Sequence, residues 1–483
     1  MRRLVGLMLA AALATALSAA CSDDDPTVDA ASTTTTDVVA PPTSTMTTTP
    51  PTTTTASPLV PIDGCPVPGP LASPAPFRPA YRADVTVDPD GGVVNGTVSV
   101  RFAPDLPTDV LVFRLWPNAP GHAAAGTGIE VGPVTDAATG TSLASSRPDP
   151  TTLEVALGRT LVAGDTVDVS VPFALSIAAG VSDRISREGD ALRIGTFLPL
   201  LAWEPGVGWA REPPTALFAE AVTSPVADYD VAIAVPDGFT VLATGQQGAD
   251  GRWRAAGARD FAASVGHFSL ASAEEHLPQP VLVTVGVDGQ LGDDPQAYLD
   301  RVTGALRDFT GRFGAYPWPS FTLAITPGLS GGIEFPTFVM QGPSTLGRVT
   351  SHEVAHMWFY ALVGNNQARD PWLDEGLASY AEFGHEGTLA ANQAKDIPAA
   401  GEGQAGAPMT YWEARAGAYY RGVYVQGAVA IAALGPPELV DCALRFYVAA
   451  NAYRIATPAD LLAAVSTVFP DAAATLAAFG LAP

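Results

Sequence analysis

The sequence predicts a multidomain chain, β in its first half and α+β in its second. Three observations carry this reading. At 483 residues the chain is longer than one hydrophobic core usually organises. Segments of period-two alternation recur between about 75 and 275, and from 276 onward the pattern turns to longer helical stretches.

Each element has a local reason. Residues 85–87, 97–102, 167–171, 229–235 and 239–245 alternate apolar and polar side chains, as half-buried strands do. Between them lie turn-rich stretches such as Asp88-Pro89-Asp90-Gly91-Gly92. Many short strands joined in this way indicate an N-terminal β-sandwich or saddle domain, here placed at residues 64–275. In residues 276–483, the run 281–287 reads as a strand. Asp294-Pro295 opens a helix reaching about Phe313, with Asp294 as cap and Pro295 in the first turn. Residues 321–325 form another strand, and the remainder is mostly helical.

The first twenty residues read as a signal peptide. Arg2 and Arg3 precede an apolar run too short for a stable span. The run ends in Leu17-Ser18-Ala19-Ala20-Cys21, which resembles a bacterial lipobox. Lipidation of Cys21 is expected, with plain signal-peptidase cleavage as the alternative. Residues 21–63 are rich in Thr, Pro, Ser and Asp and cannot bury enough apolar surface to fold, so they form a stalk. The expected location is extracytoplasmic, on the cell membrane through the lipid anchor, or secreted. Cys65 and Cys442 then remain as an even pair in an oxidising compartment, either bridged or buried as two thiols. A formal charge of −24, with Lys395 the single lysine, excludes long-range attraction to nucleic acid or anionic lipid. Nothing in the sequence sets an oligomeric state.

The chemistry concentrates in one stretch. Ser351-His352-Glu353-Val354-Ala355-His356 contains the pattern H-E-x-x-H. Residues 345–363 suit a helix, with Gly364 as its stop signal. Positions four apart on a helix differ by only about 40° around the axis, so His352 and His356 can grip one ion. Glu353 is displaced around the helix, near a metal-activated water but outside the coordination sphere. Further on, Asp370 and Pro371 suit the cap and first position of a second helix. That helix places Glu375 to complete two imidazoles and a carboxylate, a set that favours one zinc per chain and leaves a position open. Phe359 and Leu362 stand where the alternative H-E-x-x-H-x-x-G-x-x-H site needs Gly and His.

His352-Glu353-x-x-His356, eighteen residues, then Glu375 within Trp372-Leu373-Asp374-Glu375-Gly376 resembles the aminopeptidase N family of zinc metallopeptidases, the gluzincins. Asp374 stands where that family usually has Asn. Gly331-Gly332-Ile333-Glu334-Phe335 is similar to the family's Gly-x-Met-Glu-Asn strand, with Phe335 replacing Asn. Tyr424-Val425-Gln426-Gly427-Ala428 is similar to its Tyr-x-Lys-Gly-Ala segment, with Gln426 replacing Lys. The resemblance covers about residues 75–483. It implies that the second domain is a thermolysin-like catalytic domain. The family's large C-terminal helical domain has no counterpart, since only 108 residues follow Glu375 (483 minus 375).

The implied roles are these. Glu353 exchanges the proton of the attacking water with the leaving amine. Tyr424 donates a hydrogen bond to the oxyanion. Glu334 holds the free N-terminal ammonium of a peptide, and Gly331 and Gly332 let the substrate backbone approach. The expected activity is zinc-dependent release of N-terminal residues from peptide substrates. Two alternatives stand beside it: an endopeptidase with the same site and an open cleft, and a non-catalytic surface binding protein on the same scaffold.

Overall fold

The computed structural model describes residue 59 and residues 63–217 and 223–481. The signal segment, Cys21 and nearly all of the stalk lie outside the described residues.

The first domain is built from strands whose alternation buries one face. β1 (Ala80–Asp88) sends Tyr81, Ala83, Val85 and Val87 inward, and β2 (Val93–Phe102) answers with Val94, Val98, Val100 and Phe102. These two form the middle of an eight-stranded sheet. β3 (Val167–Ser176) continues it antiparallel to β2, and β4 (Ala227–Ala234) pairs parallel with β1. The parallel register stacks Tyr81 on Tyr229, ring centroids 4.8 Å apart. Two four-stranded sheets, one of them containing Ala191–Ile194 paired to Ala263–Gly266, and a two-stranded pairing of Trp203–Glu204 with Gly208–Trp209 accompany it. One apolar core runs from Tyr81 to Val265.

The second domain opens on a five-stranded sheet. Its strands are β5 (Phe268–His276), β6 (Pro280–Asp288), β7 (Ser320–Ile325), β8 (Gly332–Phe335) and β9 (Phe338–Gln341), in the order β5-β6-β7-β9-β8. β6, β7 and β9 run parallel, and β8 turns back antiparallel at the edge. The sheet starts eight residues before position 276. The reason is β5, a hairpin partner of β6 that reads locally like the preceding β segment and belongs by its pairing to the second domain.

Helices pack on this sheet. α1 (Pro295–Phe313) is capped by Asp294, whose carboxylate accepts from the Gln296 amide at 3.0 Å. It buries Leu299, Val302, Leu306, Phe309 and Phe313 along one stripe. Next come α2 (Arg348–Ala355) and α3 (Trp372–His385). A π-helical turn at Tyr420–Val425 leads into α4 (Gln426–Ala432), followed by α5 (Pro437–Asn451). Among the described residues no single helix is long and apolar enough to cross a membrane.

Two expectations about helix ends are corrected. The helix expected over 345–363 spans only Arg348–Ala355. Residues 357–363 are apolar and buried on every side, so no polar face holds them in helical register. Instead Ala361, Leu362 and Val363 donate to the carbonyls five residues back, and Tyr360 takes a left-handed φ of +135°. Gly364 is not a helix stop: it lies in a two-residue parallel pairing with Ile455–Ala456. Asp370 does not cap α3 either; Pro371 precedes Trp372 in helical conformation, with no side-chain cap.

The two domains are fastened by buried arginines. Arg193 donates to the backbone carbonyls of Val181 and Asp183 in its own domain and of Pro327 and Gly328 in the next. Arg259 reaches the carbonyls of Ala361 and Arg454. Cys65 and Cys442 form a disulfide, Cα atoms 5.8 Å apart, which pins the start of the described chain to α5.

Candidate metal centre

Two helices and one edge strand bring the sequence motifs together. His352 and His356 occupy the last turn of α2, the second at its C-cap, so the spacing of four survives the short helix. Their Nε2 atoms lie 3.1 Å apart. Glu375, in the first turn of α3, places Oε2 at 3.1 Å from His352 Nε2 and 3.4 Å from His356 Nε2. All three residues are buried.

Both imidazoles are oriented from behind. His352 Nδ1 lies 3.1 Å from Glu382 Oε2, and His356 Nδ1 lies 2.7 Å from Asp374 Oδ1 and 3.1 Å from the Phe359 carbonyl. The other oxygen of Asp374 accepts from Gln367 at 2.7 Å. A carboxylate at Nδ1 fixes the proton there and turns the Nε2 lone pair forward. Two lone pairs and a carboxylate oxygen then converge on one point, an arrangement that only a cation satisfies. The electrostatics agree. Burial opposes charge on His352, yet the Glu375 and Glu382 carboxylates push it up to about 10, and His356 is raised by Glu334, Asp374 and Glu375 despite its burial. The site demands positive charge, and two nitrogens with one oxygen fit zinc.

Glu353 stands beside this point without joining the set. Its Oε2 is buried and has no hydrogen-bond partner among the described residues. Burial pushes its carboxyl up to about 8, against the pull of the two histidines. Glu334 faces it from β8: donor atoms of Glu334, Glu353 and His356 lie within 4.8 Å of one another. Burial likewise raises Glu334, to about 7. Gly332 explains the fit differently from the expected backbone approach. A Cβ there would sit 2.5 Å from Glu353 Cδ, so the missing side chain makes room for Glu353 itself. Gly331 turns the chain into the strand at φ +100°.

Tyr424 lies within the π-helical turn, a local widening that re-aims its ring. The ring stacks on His352 at 5.7 Å and the hydroxyl donates to Glu375 Oε1 at 2.6 Å. The structure thus gathers His352, His356, Glu375, Glu353, Glu334 and Tyr424 at one place, while Cys21 lies outside the described residues. Sequence reasoning gave no role to Glu382, Asp374 or Gln367. For Glu382 the signal was present: it follows Glu375 by seven residues, two turns on the same face of α3.

Comparison with known proteins adds the following. A model of the peptidase family M1 domain matches residues 339–402. Aminopeptidase B of Mus musculus is 31% identical over 173 residues, covering 32% of this chain and 25% of its own length. Aminopeptidase N of Canis lupus familiaris is 31% identical over 131 residues, covering 23% and 13%. The chain thus spans at most about a quarter of these relatives. Similarity in fold extends further. The M1 zinc metallopeptidase of Deinococcus radiodurans superposes with a TM-score of 0.57 at 21% identity, covering 84% of this chain and 95% of that one. A mutant of the same protein bound to a Tyr-Ser-Ala substrate gives 0.59 at 20% identity. The M1 match lies across the two helices that carry His352, His356 and Glu375, and the two-domain fold is shared, so the chain resembles the aminopeptidase N-like gluzincins, the M1 zinc metallopeptidases.

Proposed function

We propose that the chain is a zinc-dependent aminopeptidase that releases N-terminal residues from peptides outside the cytoplasm, held at the membrane by a lipid on Cys21. The observation that carries the hydrolytic reading is the convergence of His352, His356 and Glu375 on one point, with the unpartnered oxygen of Glu353 beside it. Zinc held there supplies Lewis acidity and lowers the pKa of water toward neutrality.

The protein's own groups do the rest. Glu353 takes a proton from the attacking water and returns it to the leaving amine. Tyr424 donates to the oxygen on which negative charge develops. Glu382 and Asp374 hold the imidazoles in one tautomer and orientation. Glu334, buried on the edge strand within reach of the same point, receives the substrate ammonium and thereby sets the first peptide bond at the metal. The free edge of β8 offers backbone partners to an extended peptide. We read the second domain, with its sheet edge above two metal-bearing helices, as thermolysin-like.

Phe335, where the pattern of the family that this segment resembles has Asn, favours a second reading, an endopeptidase with the same site. One experiment separates them. The zinc-loaded protein is given matched free-amine and N-acetylated peptides, with and without chelator, and products are identified by mass. Release of single N-terminal residues from the free peptides alone, abolished by chelator, is expected. Equal cleavage of the acetylated peptide at an internal bond would overturn the aminopeptidase reading. The location is tested separately: the protein should partition with membranes and Cys21→Ser should not.

A further inference from the structure

The two faces of β8 meet different partners. On one face, Gly332 makes room for Glu353, and the Glu334 carboxylate lies within 4.8 Å of donor atoms of Glu353 and His356. Alternation turns Ile333 and Phe335 to the other face. Phe335 is fully buried there, in an apolar core shared by both domains. Leu242 and Ala262 come from the first domain, and Ala324, Leu329 and Phe338 from the second. The Phe335 ring lies directly on Gly195 of the first domain: a Cβ at that glycine would sit 2.5 Å from Phe335 Cζ.

The first domain also grips the chain on either side of β8. Before the strand, the Ser330 amide donates to Ser182 Oγ at 3.0 Å, and Arg193 donates to the Pro327 and Gly328 carbonyls. After it, Thr337 Oγ1 accepts from the Gly245 amide at 2.7 Å, in a turn where Thr337 takes a left-handed φ of +63°. Between these holds, β8 has one ladder neighbour, β9.

We propose that Phe335 is a positioning residue: seated on Gly195, it fixes from the opposite face of β8 where the Glu334 carboxylate stands, and so makes the first domain the gauge for a free N-terminus. The inference rests on the aminopeptidase reading, in which Glu334 receives the substrate ammonium. In any peptide the ammonium nitrogen and the first carbonyl carbon are about 2.5 Å apart, fixed by two covalent bonds. The carboxylate therefore has little slack. Moved outward by about 1 Å, it either releases the ammonium or draws the carbonyl away from the two histidines, and misplacement of that size can cost roughly 10²-fold. The close-packed core behind Phe335 resists such a shift, because an interior without voids transmits displacement instead of absorbing it. Phe335 acts through Glu334 and not on the substrate.

A double-mutant cycle on the full zinc-loaded protein tests this. kcat/KM for Leu-Gly-Gly is measured in the unmutated protein, Phe335→Leu, Glu334→Ala and the double variant. Phe335→Leu keeps the position apolar but withdraws the ring from Gly195, and should cost roughly 10- to 100-fold. In the Glu334→Ala background the same change should cost less than about 2-fold. Met340→Leu alters the same apolar core from β9 and should stay within about 2-fold of the unmutated rate. Equal costs of Phe335→Leu in both backgrounds, or a full rate in Phe335→Leu alone, overturn the proposal. Zinc content and denaturation midpoints show which variants fold. If Phe335→Leu does not, Gly195→Ala, which pushes on the ring from the first domain, takes its place in the cycle under the same criterion. Binding gives a readout without turnover. Calorimetry compares leucinamide with N-acetylleucinamide on the Glu353→Gln protein, with and without Phe335→Leu. The preference for the free amine should shrink by a similar factor, and an unchanged preference overturns the role of Phe335. Failure of the underlying reading looks different: Glu334→Ala alone would then leave Leu-Gly-Gly cleavage intact, and this proposal falls with it.

Discussion

Gly376 and Gly427 meet backbone to backbone. A Cβ on Gly427 would lie 2.9 Å from Gly376 Cα, and one on Gly376 would lie 3.1 Å from Gly427 Cα. Each follows closely on a residue of the site: Gly376 comes after the ligand Glu375, and Gly427 comes three residues after Tyr424. The contact lets α3 and α4 approach closely enough for the Tyr424 hydroxyl to reach Glu375. Gly427→Ala should force the helices apart. We expect a loss of about 1–3 kcal/mol from overpacking and a fall in kcat larger than that of a surface Ala substitution, read by urea denaturation and single-turnover rates.

The metal should depend on both rings of contacts. The purified protein should hold about one zinc per chain, and His352→Ala or Glu375→Ala should lose it. Asp374→Asn and Glu382→Gln keep shape but weaken the hydrogen bond behind each imidazole. Zinc affinity should fall by about 10- to 100-fold in each. Chelator competition checks this, and unchanged affinity in both would remove them from the site.

Glu353→Gln should separate metal from chemistry. The amide cannot take a proton, so zinc content should stay and turnover should fall by orders of magnitude. Tyr424→Phe removes one oxyanion donor and should cost about 10²- to 10³-fold in kcat. Near-normal rates in either zinc-loaded variant would strike that residue from the mechanism.

Glu334→Ala should damage free-amine substrates selectively. Loss of a buried charge-assisted contact is worth roughly 10²-fold in kcat/KM. Rates on free and acetylated peptides, measured side by side, give the answer: equal losses on both would mean that Glu334 does not read the ammonium.

Asp260 predicts a pH effect away from the metal. It is buried, accepting from the Thr196 hydroxyl and the Phe261 amide at 2.6 Å each. Burial pushes its carboxyl up to about 7, outweighing those hydrogen bonds. The folded state therefore binds this proton more tightly than the unfolded state does. Its contribution to stability is complete below the unfolded value near 4 and declines as pH rises to about 7. Asp260→Asn should flatten stability over that window. Parallel denaturant titrations of the two proteins between pH 4 and 8 test it, and identical slopes would refute it.

Some of this was legible in the sequence because it is local. The spacing of His352 and His356 survives even though α2 ends at Ala355, since four residues need only one turn. The alternation of residues 85–87 and 97–102 dictates which faces of β1 and β2 are buried, whatever they pair with. What escaped depends on contacts between distant segments. No local pattern says that Gly332 yields its space to Glu353, that Arg193 reaches across to Pro327, or that β5 pairs forward rather than back. The run 357–363 misled because apolar residues on all sides satisfy a helix and an irregular core turn equally well. Distance between Cys65 and Cys442 was beyond sequence, at a sequence separation of 377.

That bond also decides how the molecule bears load. Cys65 precedes the entire β domain in the chain, yet it is joined to α5 of the second domain, and Ala72 donates to the Ala449 carbonyl on the same helix. Tension applied upstream of Cys65 therefore passes directly into the metal-bearing domain. The β domain hangs in a closed covalent ring and carries none of it. Pulling on the chain upstream of Cys65 should load α5 first in the oxidised protein, and reduction of that bond should move the load to the first strands.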